Sequence, residues 1–131
     1  MTRAHRLFDH HPVWHITHRC HKREFLLKFD RDRREWCRWL FEARRRYGVS
    51  VLNYIVTSNH IHLMAWCQDK ITIPRTMRLV AGRTAQNYNR RKDRHGAFWE
   101  DRYHAVPIRE QSHFLECLTY VDLNMVRAGV V

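Results

Sequence analysis

No apolar run in this 131-residue chain approaches the ~20 residues that a membrane-spanning helix requires. The opening residues Met1-Thr2-Arg3-Ala4-His5-Arg6 have no apolar signal core behind them, so the reading is a protein with no membrane partner, cytoplasmic and associated with the nucleoid. Close cysteine pairs are also missing. Cys20, Cys37, Cys67 and Cys117 are scattered with no C-x-x-C spacing, which argues against a thiolate zinc site. The expectation is four reduced cysteines, mostly packed in a core. There is no repeat, linker or low-complexity segment, and the length suits one domain spanning 1–131 with a polar arm at about 1–11. With 44% hydrophobic residues the chain can bury a core, which excludes a disordered protein.

Acidic residues are scarce. Thirteen of them face 24 Lys and Arg, for a formal net charge of +11. Such an excess attracts phosphate polymers and releases their counterions on binding. Arginine outnumbers lysine, and its planar fork suits phosphate contact and base stacking. The composition therefore favours a nucleic-acid partner.

Periodicity gives the outline. Residues 13–19 alternate like a strand. Asp30 to Tyr47 reads as a helix with Asp30 or Asp32 as cap, Trp36, Trp39, Leu40, Ala43 and Tyr47 on one face, and Gly48 as its left-handed stop. Residues 49–57 are apolar on both alternating faces, which predicts a central strand. After a turn at Ser58-Asn59, residues 60–66 form a second strand, antiparallel to the first. A helix over 74–91 buries Met77, Val80, Ala81, Thr84 and Tyr88. Residues 97–108 read as a strand or hairpin, and a last helix begins near Ser112 and ends around Ala128-Gly129. The pattern predicts an α+β protein, an antiparallel sheet with helices packed on it, close to a ferredoxin-like plan.

His60-Ile61-His62 carries the most chemistry. Residues two apart on a strand share a face, about 7 Å apart at the backbone, so two imidazoles can converge on one ion. By itself an H-x-H pair is a weak signal that reads first as two half-exposed histidines on a solvated strand face. Tyr120 and Asn124, four apart, share a helix face that could meet that pair. Two nitrogens and an amide oxygen suit a weakly held Mg²⁺ or Mn²⁺. The alternative is an ordinary amphipathic tyrosine and a helix-end asparagine.

The segment Thr57-Ser58-Asn59-His60-Ile61-His62-Leu63 resembles the HUH motif of the single-tyrosine transposases, and Tyr120-Val121-Asp122-Leu123-Asn124-Met125-Val126-Arg127-Ala128-Gly129 resembles their tyrosine helix. Trp14-His15-Ile16-Thr17 is similar to the family's first strand, and Phe98-Trp99-Glu100-Asp101-Arg102-Tyr103-His104 to the aromatic strand before the tyrosine helix. The segments run in the family's order and resemble most the REP-associated tyrosine transposase branch. The family often has proline where Ser58 and Met125 stand, neither of them a ligand position, and its members commonly continue beyond the point where this sequence ends at Val131.

The resemblance implies an HUH nuclease fold and a metal-dependent transposase that cleaves and rejoins single-stranded DNA beside hairpins. It implies Tyr120 as nucleophile, forming a 5′-phosphotyrosine, and a divalent ion, Mg²⁺ or Mn²⁺, on His60, His62 and Asn124. The partner is single-stranded or hairpin DNA, bound by a monomer or homodimer. Arg34, Arg38, Arg45, Arg75, Arg78, Arg83, Arg90 and Arg91 are the expected phosphate contacts. Trp14, Trp66 and Trp99 could stack bases, although their apolar surroundings favour core packing. The competing function is a domesticated regulator that binds hairpin DNA without cutting it. A relaxase or replication initiator fits less well, given the short chain and the single tyrosine placed in the right helix.

Overall fold

A computed structural model describes residues 13–108. Its elements run β1 (Val13–Arg19), a 3-10 turn (His21–Arg23), α1 (Asp30–Tyr47), β2 (Ser50–Val56), β3 (His60–Trp66), α2 (Thr72–Arg91) and β4 (His104–Ile108). The polar arm, the last helix, Cys117, Tyr120 and Asn124 lie outside the described residues.

The four strands form one sheet in the order β2-β3-β1-β4, with every adjacent pair antiparallel. This is the expected split βαβ arrangement, in which each helix carries the chain across an intervening strand. Both helices pack on one sheet face. Trp36, Leu40 and Ala43 of α1 and Ile73, Met77 and Val80 of α2 join Ile16, Ile61, Leu63 and Ala65 of the sheet in one core cluster. Strand alternation explains the division, because Ile61, Leu63 and Ala65 point to the helices while His60, His62, Met64 and Trp66 point to the other face.

Four expectations need correction. Residues 49–57 were expected to be a central strand, yet β2 is a sheet edge, pairing with β3 only. Its two apolar faces arise because Val56 joins the helix-side core while Ile55 is buried on the opposite face, and a bulge between Val51 and Asn53 leaves Leu52 exposed. Neither Asp30 nor Asp32 caps α1. Phe29 holds the cap position with no side-chain cap bond, and Asp32 turns instead to Arg91 of α2. In α2 the first turn starts at Thr72, two residues early, because Asp69 Oδ1 accepts from the Thr72 hydroxyl (2.7 Å) and from the backbone N–H groups of Ile71 (3.1 Å) and Thr72 (2.9 Å). Of the stretch 97–108 only His104–Ile108 is strand, with Trp99 in a single bridge to Cys20. Gly48 does take the left-handed conformation, at φ 74°, that ends α1. Cys20 and Cys67 are free and buried, and Cys37 is free and half-buried.

Candidate active site

The strand register brings a set of polar side chains together on the sheet face away from the helices. His62 of β3 stands opposite Thr17 of β1, and Thr17 stands opposite His104 of β4. Arg19 stands opposite His60. Cross-strand partners share a face, so His60, His62, Thr17, Arg19 and His104 project together. With the 99–103 connection, they help line a pocket of about 440 Å³ that also takes in Glu100 and Asp101.

The His60 and His62 rings are 5.0 Å apart, centroid to centroid, at 85°. The turn before β3 fixes His60. The Thr57 hydroxyl donates to the His60 carbonyl (3.1 Å), which leaves its lone pairs to accept the His60 Nδ1–H (2.8 Å). Asn59 Oδ1 lies 3.0 Å from the same nitrogen, and the Asn59 amide is itself oriented by donating to the Arg23 carbonyl (3.2 Å). Two oxygens around Nδ1 put the proton there and leave the Nε2 lone pair as the ligating one. Burial holds the His60 pKa below its ordinary value, with the Arg19 charge adding to it. His62 is pushed down to about 4, first by burial, then by His60 and His15. Both imidazoles are therefore neutral at neutral pH, the form that binds a metal.

Sequence reasoning missed His15. Its Nε2 lies 3.3 Å from His62 Nδ1, with the rings stacked at 5.5 Å. The signal was available, since His15 shares strand parity with Thr17 and Arg19. Thr57 and Asn59, read only as motif and turn, are the residues that orient His60. Among the described residues no group of three or more His, Cys, Asp or Glu could hold a metal ion. The described donors fit the first two nitrogens of a mixed site, with Asn124 outside the description.

His18 faces the helix side and ties the pocket wall to β1. Its Nε2–H donates to the Asp101 carbonyl at 2.8 Å, and its ring stacks on Trp99 at 4.1 Å. Burial pushes its pKa down to about 4. A proton thus binds the unfolded chain, near pKa 6.5, better than the folded one. The stability held by neutral His18 is complete above pH 6.5 and declines as pH falls from 6.5 to 4, by at most about 3 kcal/mol. Urea midpoints at pH 7.5 and 4.5 should separate accordingly, and His18→Phe should narrow the gap. An equal gap in the variant would mean His18 is not the titrating group.

The arginines divide by helix. Arg34, Arg38 and Arg45 of α1 pair with Asp30, Glu35 and Glu42 within one helical turn, exposed contacts of little strength. Arg75, Arg78 and Arg83 of α2 line a shallow cleft with Tyr47 and Gln86. Arg90 and Arg91 line a groove between the helices. Trp99 and Trp14 pack against the helix-side core, with Trp99 Nε1–H donating to the Ala81 carbonyl (3.0 Å). Trp66 is half-buried at the end of β3. No described helix is long and apolar enough to cross a membrane.

Comparison with known proteins gives two kinds of match. The family model described as "Transposase IS200 like" matches residues 10–124. Among solved structures, the chain is similar to a REP-associated tyrosine transposase bound to a REP hairpin, with TM-score 0.71 and 16% identity over 92% of this chain and 70% of that one. It is also similar to a candidate transposase from Deinococcus radiodurans R1, with TM-score 0.62 and 14% identity over 86% of this chain and 89% of that one. At these identities the two structures establish the fold. No curated protein matches the sequence.

Proposed function

Because the chain belongs to the IS200-like transposase family, we propose that it is a metal-dependent single-strand DNA endonuclease and strand transferase acting beside DNA hairpins. The observation that carries this is the His60–His62 pair: two imidazoles side by side at a pocket, one with its tautomer set by Thr57 and Asn59. Asn124 supplies the third donor and Tyr120 the nucleophile. Ile55, Met64 and Ile108 are buried on the same sheet face as His62, so the pair stands on a face that is apolar on both sides of it.

The chemistry follows from those positions. Tyr120 Oη attacks the scissile phosphorus, forming a P–O bond to tyrosine and breaking the P–O3′ bond. The phenolic proton, with an ordinary pKa near 10, passes to water or a base, and the departing 3′-oxygen takes up a proton. The resulting 5′-phosphotyrosine keeps the ester's energy, so a later 3′-hydroxyl can reverse the step and join DNA without a nucleotide cofactor. A divalent ion held by His60, His62 and Asn124 supplies Lewis-acid polarisation of the phosphate oxygens. Arg19, beside His60 in the register, adds positive charge where the phosphate enters.

The REP hairpin on the similar transposase makes a hairpin the substrate to try first. A labelled hairpin with a single-stranded flank, incubated with the protein and Mn²⁺, should give a protein–DNA adduct that survives denaturation and a cut at one fixed distance from the stem. Binding should weaken steeply with salt, and a blunt duplex of equal length should bind less well. Hairpin-selective binding with no adduct at any Mn²⁺ concentration would leave a non-cleaving regulator. Equal affinity for blunt duplex would leave only a generic basic protein.

A further inference from the structure

The groove between α1 and α2 is separate from the histidine pocket and is built differently. It has a volume of about 440 Å³. Two of its lining side chains, Asp32 and Thr84, are over nine-tenths buried, and Asp32 Oδ2 and Thr84 Oγ have no hydrogen-bond partner among the described residues. The other oxygen of Asp32 pairs with Arg91. A buried carboxylate oxygen without a donor costs free energy that a ligand N–H would recover. Arg31 and Arg90 supply positive charge to the groove, while Arg38, also in its lining, is held by Glu35. A bare phosphate would meet the Asp32 and Glu35 carboxylates, so the groove matches a ligand that carries N–H donors as well as negative charge.

Beside the groove stands an exposed aromatic. Phe29, at the start of α1, is 54% exposed, with Lys28 Nζ 5.6 Å and Lys92 Nζ 5.4 Å from its ring centre. An exposed ring between two ammonium groups suits a stacked base whose phosphates lie alongside. This patch is at the same end of the molecule as His60. Leu27 N–H donates to the Ser58 carbonyl (2.8 Å) just before α1 begins, and His21 N–H donates to the Phe98 carbonyl (2.8 Å) a few residues after α2 ends.

We propose that the α1–α2 groove is a second DNA subsite that takes one unpaired nucleotide, its base donating to Asp32 and Thr84, its phosphate on the arginine rim and its neighbour stacked on Phe29. Guanine suits it best, because N1–H and the N2 amino group are adjacent donors, whereas thymine offers one. The proposal rests on the reading of the chain as a DNA-binding protein and adds a base preference away from the cut.

Thr84→Val tests it cleanly, since it removes the hydroxyl at constant shape and leaves the Asp32–Arg91 pair intact. The probes are a hairpin with an eight-thymine flank in which one dG is moved stepwise, the same hairpin without a flank, and dGMP and dTMP titrated while backbone amide NMR signals are followed. Wild type should prefer dG at one flank position by about tenfold, within the range of a good base contact. Thr84→Val should lose that preference. Phe29→Ala should weaken every flanked hairpin by about fivefold or more. Neither change should alter binding of the flankless hairpin, and dGMP should shift the Asp32 and Thr84 amides more than dTMP does. An unchanged position preference in Thr84→Val, or dGMP shifts nowhere in the groove, overturns the subsite and leaves hairpin binding standing. Failure of wild type to bind any hairpin defeats the DNA reading instead, and the dGMP shifts then decide by themselves whether the groove holds a nucleotide.

Discussion

Tyr120→Phe abolishes the covalent protein–DNA adduct and leaves hairpin affinity within a few-fold of wild type. That is the expected result, because the substitution removes one oxygen and keeps the ring. Losing the attacking atom of a covalent mechanism costs on the order of 10⁴-fold or more in rate, so residual adduct should fall below detection. Binding is carried by phosphate contacts spread over the basic surface and changes little. The measurement is a denaturing gel of labelled hairpin with Mn²⁺, run beside a gel shift of the same samples. Among the described tyrosines, Tyr47, Tyr54 and Tyr88 pack against the helix-side core. Tyr103 packs against that core too, but it also belongs to the connection that walls the histidine pocket and meets His18 edge-on at 6.3 Å. Adduct surviving in Tyr120→Phe and lost in Tyr103→Phe would move the nucleophile to Tyr103.

What could be read from the sequence depended on whether the signal was local. The β1 and β3 spans emerged residue for residue, because period-two alternation sets both the strand and the face on which His60 and His62 stand. The α1 span did too, its apolar stripe ending at a glycine suited to the left-handed stop. Sheet order is not local. β2 looked central because residues 49–57 are apolar on both alternating faces, yet apolar residues on two faces answer to layers above and below and say nothing about hydrogen bonding at the edge. The Asp32 side chain was misread for the same reason. Its helix-start position favours a cap, but a partner 59 residues away, Arg91, takes it instead. In the candidate site the histidine pair was legible as a motif. His15 could have been placed on the face of Thr17 and Arg19 by strand parity, but only the register brings it near His62 and sets His104 opposite Thr17. The α1 arginines chosen as phosphate contacts have carboxylates three or four residues away, a pairing visible in the sequence once helical spacing is applied to both charges.

His60→Ala and His62→Ala should each eliminate cleavage while the protein remains folded, and EDTA should do the same to wild type until Mg²⁺ or Mn²⁺ is restored. Each histidine supplies one of three proposed donors, and a site left with two cannot hold a weakly bound hard cation at millimolar concentration. The fold survives because the helix-side core, from Trp36 to Val80, lies on the other face of the sheet from both rings. Neutral His62 is buried at some free-energy cost, so its removal is milder than truncating an apolar core residue. The orienting pair gives a graded control. Asn59→Ala and Thr57→Ala keep both imidazoles but release Nδ1 of His60, and each should weaken Mn²⁺ binding by about 10- to 100-fold, the usual range for residues that hold a ligand in place. Excess Mn²⁺ should then rescue cleavage in the Thr57 and Asn59 variants and fail to rescue it in the histidine variants. Mn²⁺ affinity by calorimetry, paired with adduct formation across a Mn²⁺ series, reads both effects on the same samples. Cleavage indifferent to chelator would remove the metal from the mechanism and leave His60 and His62 to act, if at all, as direct contacts to the phosphate.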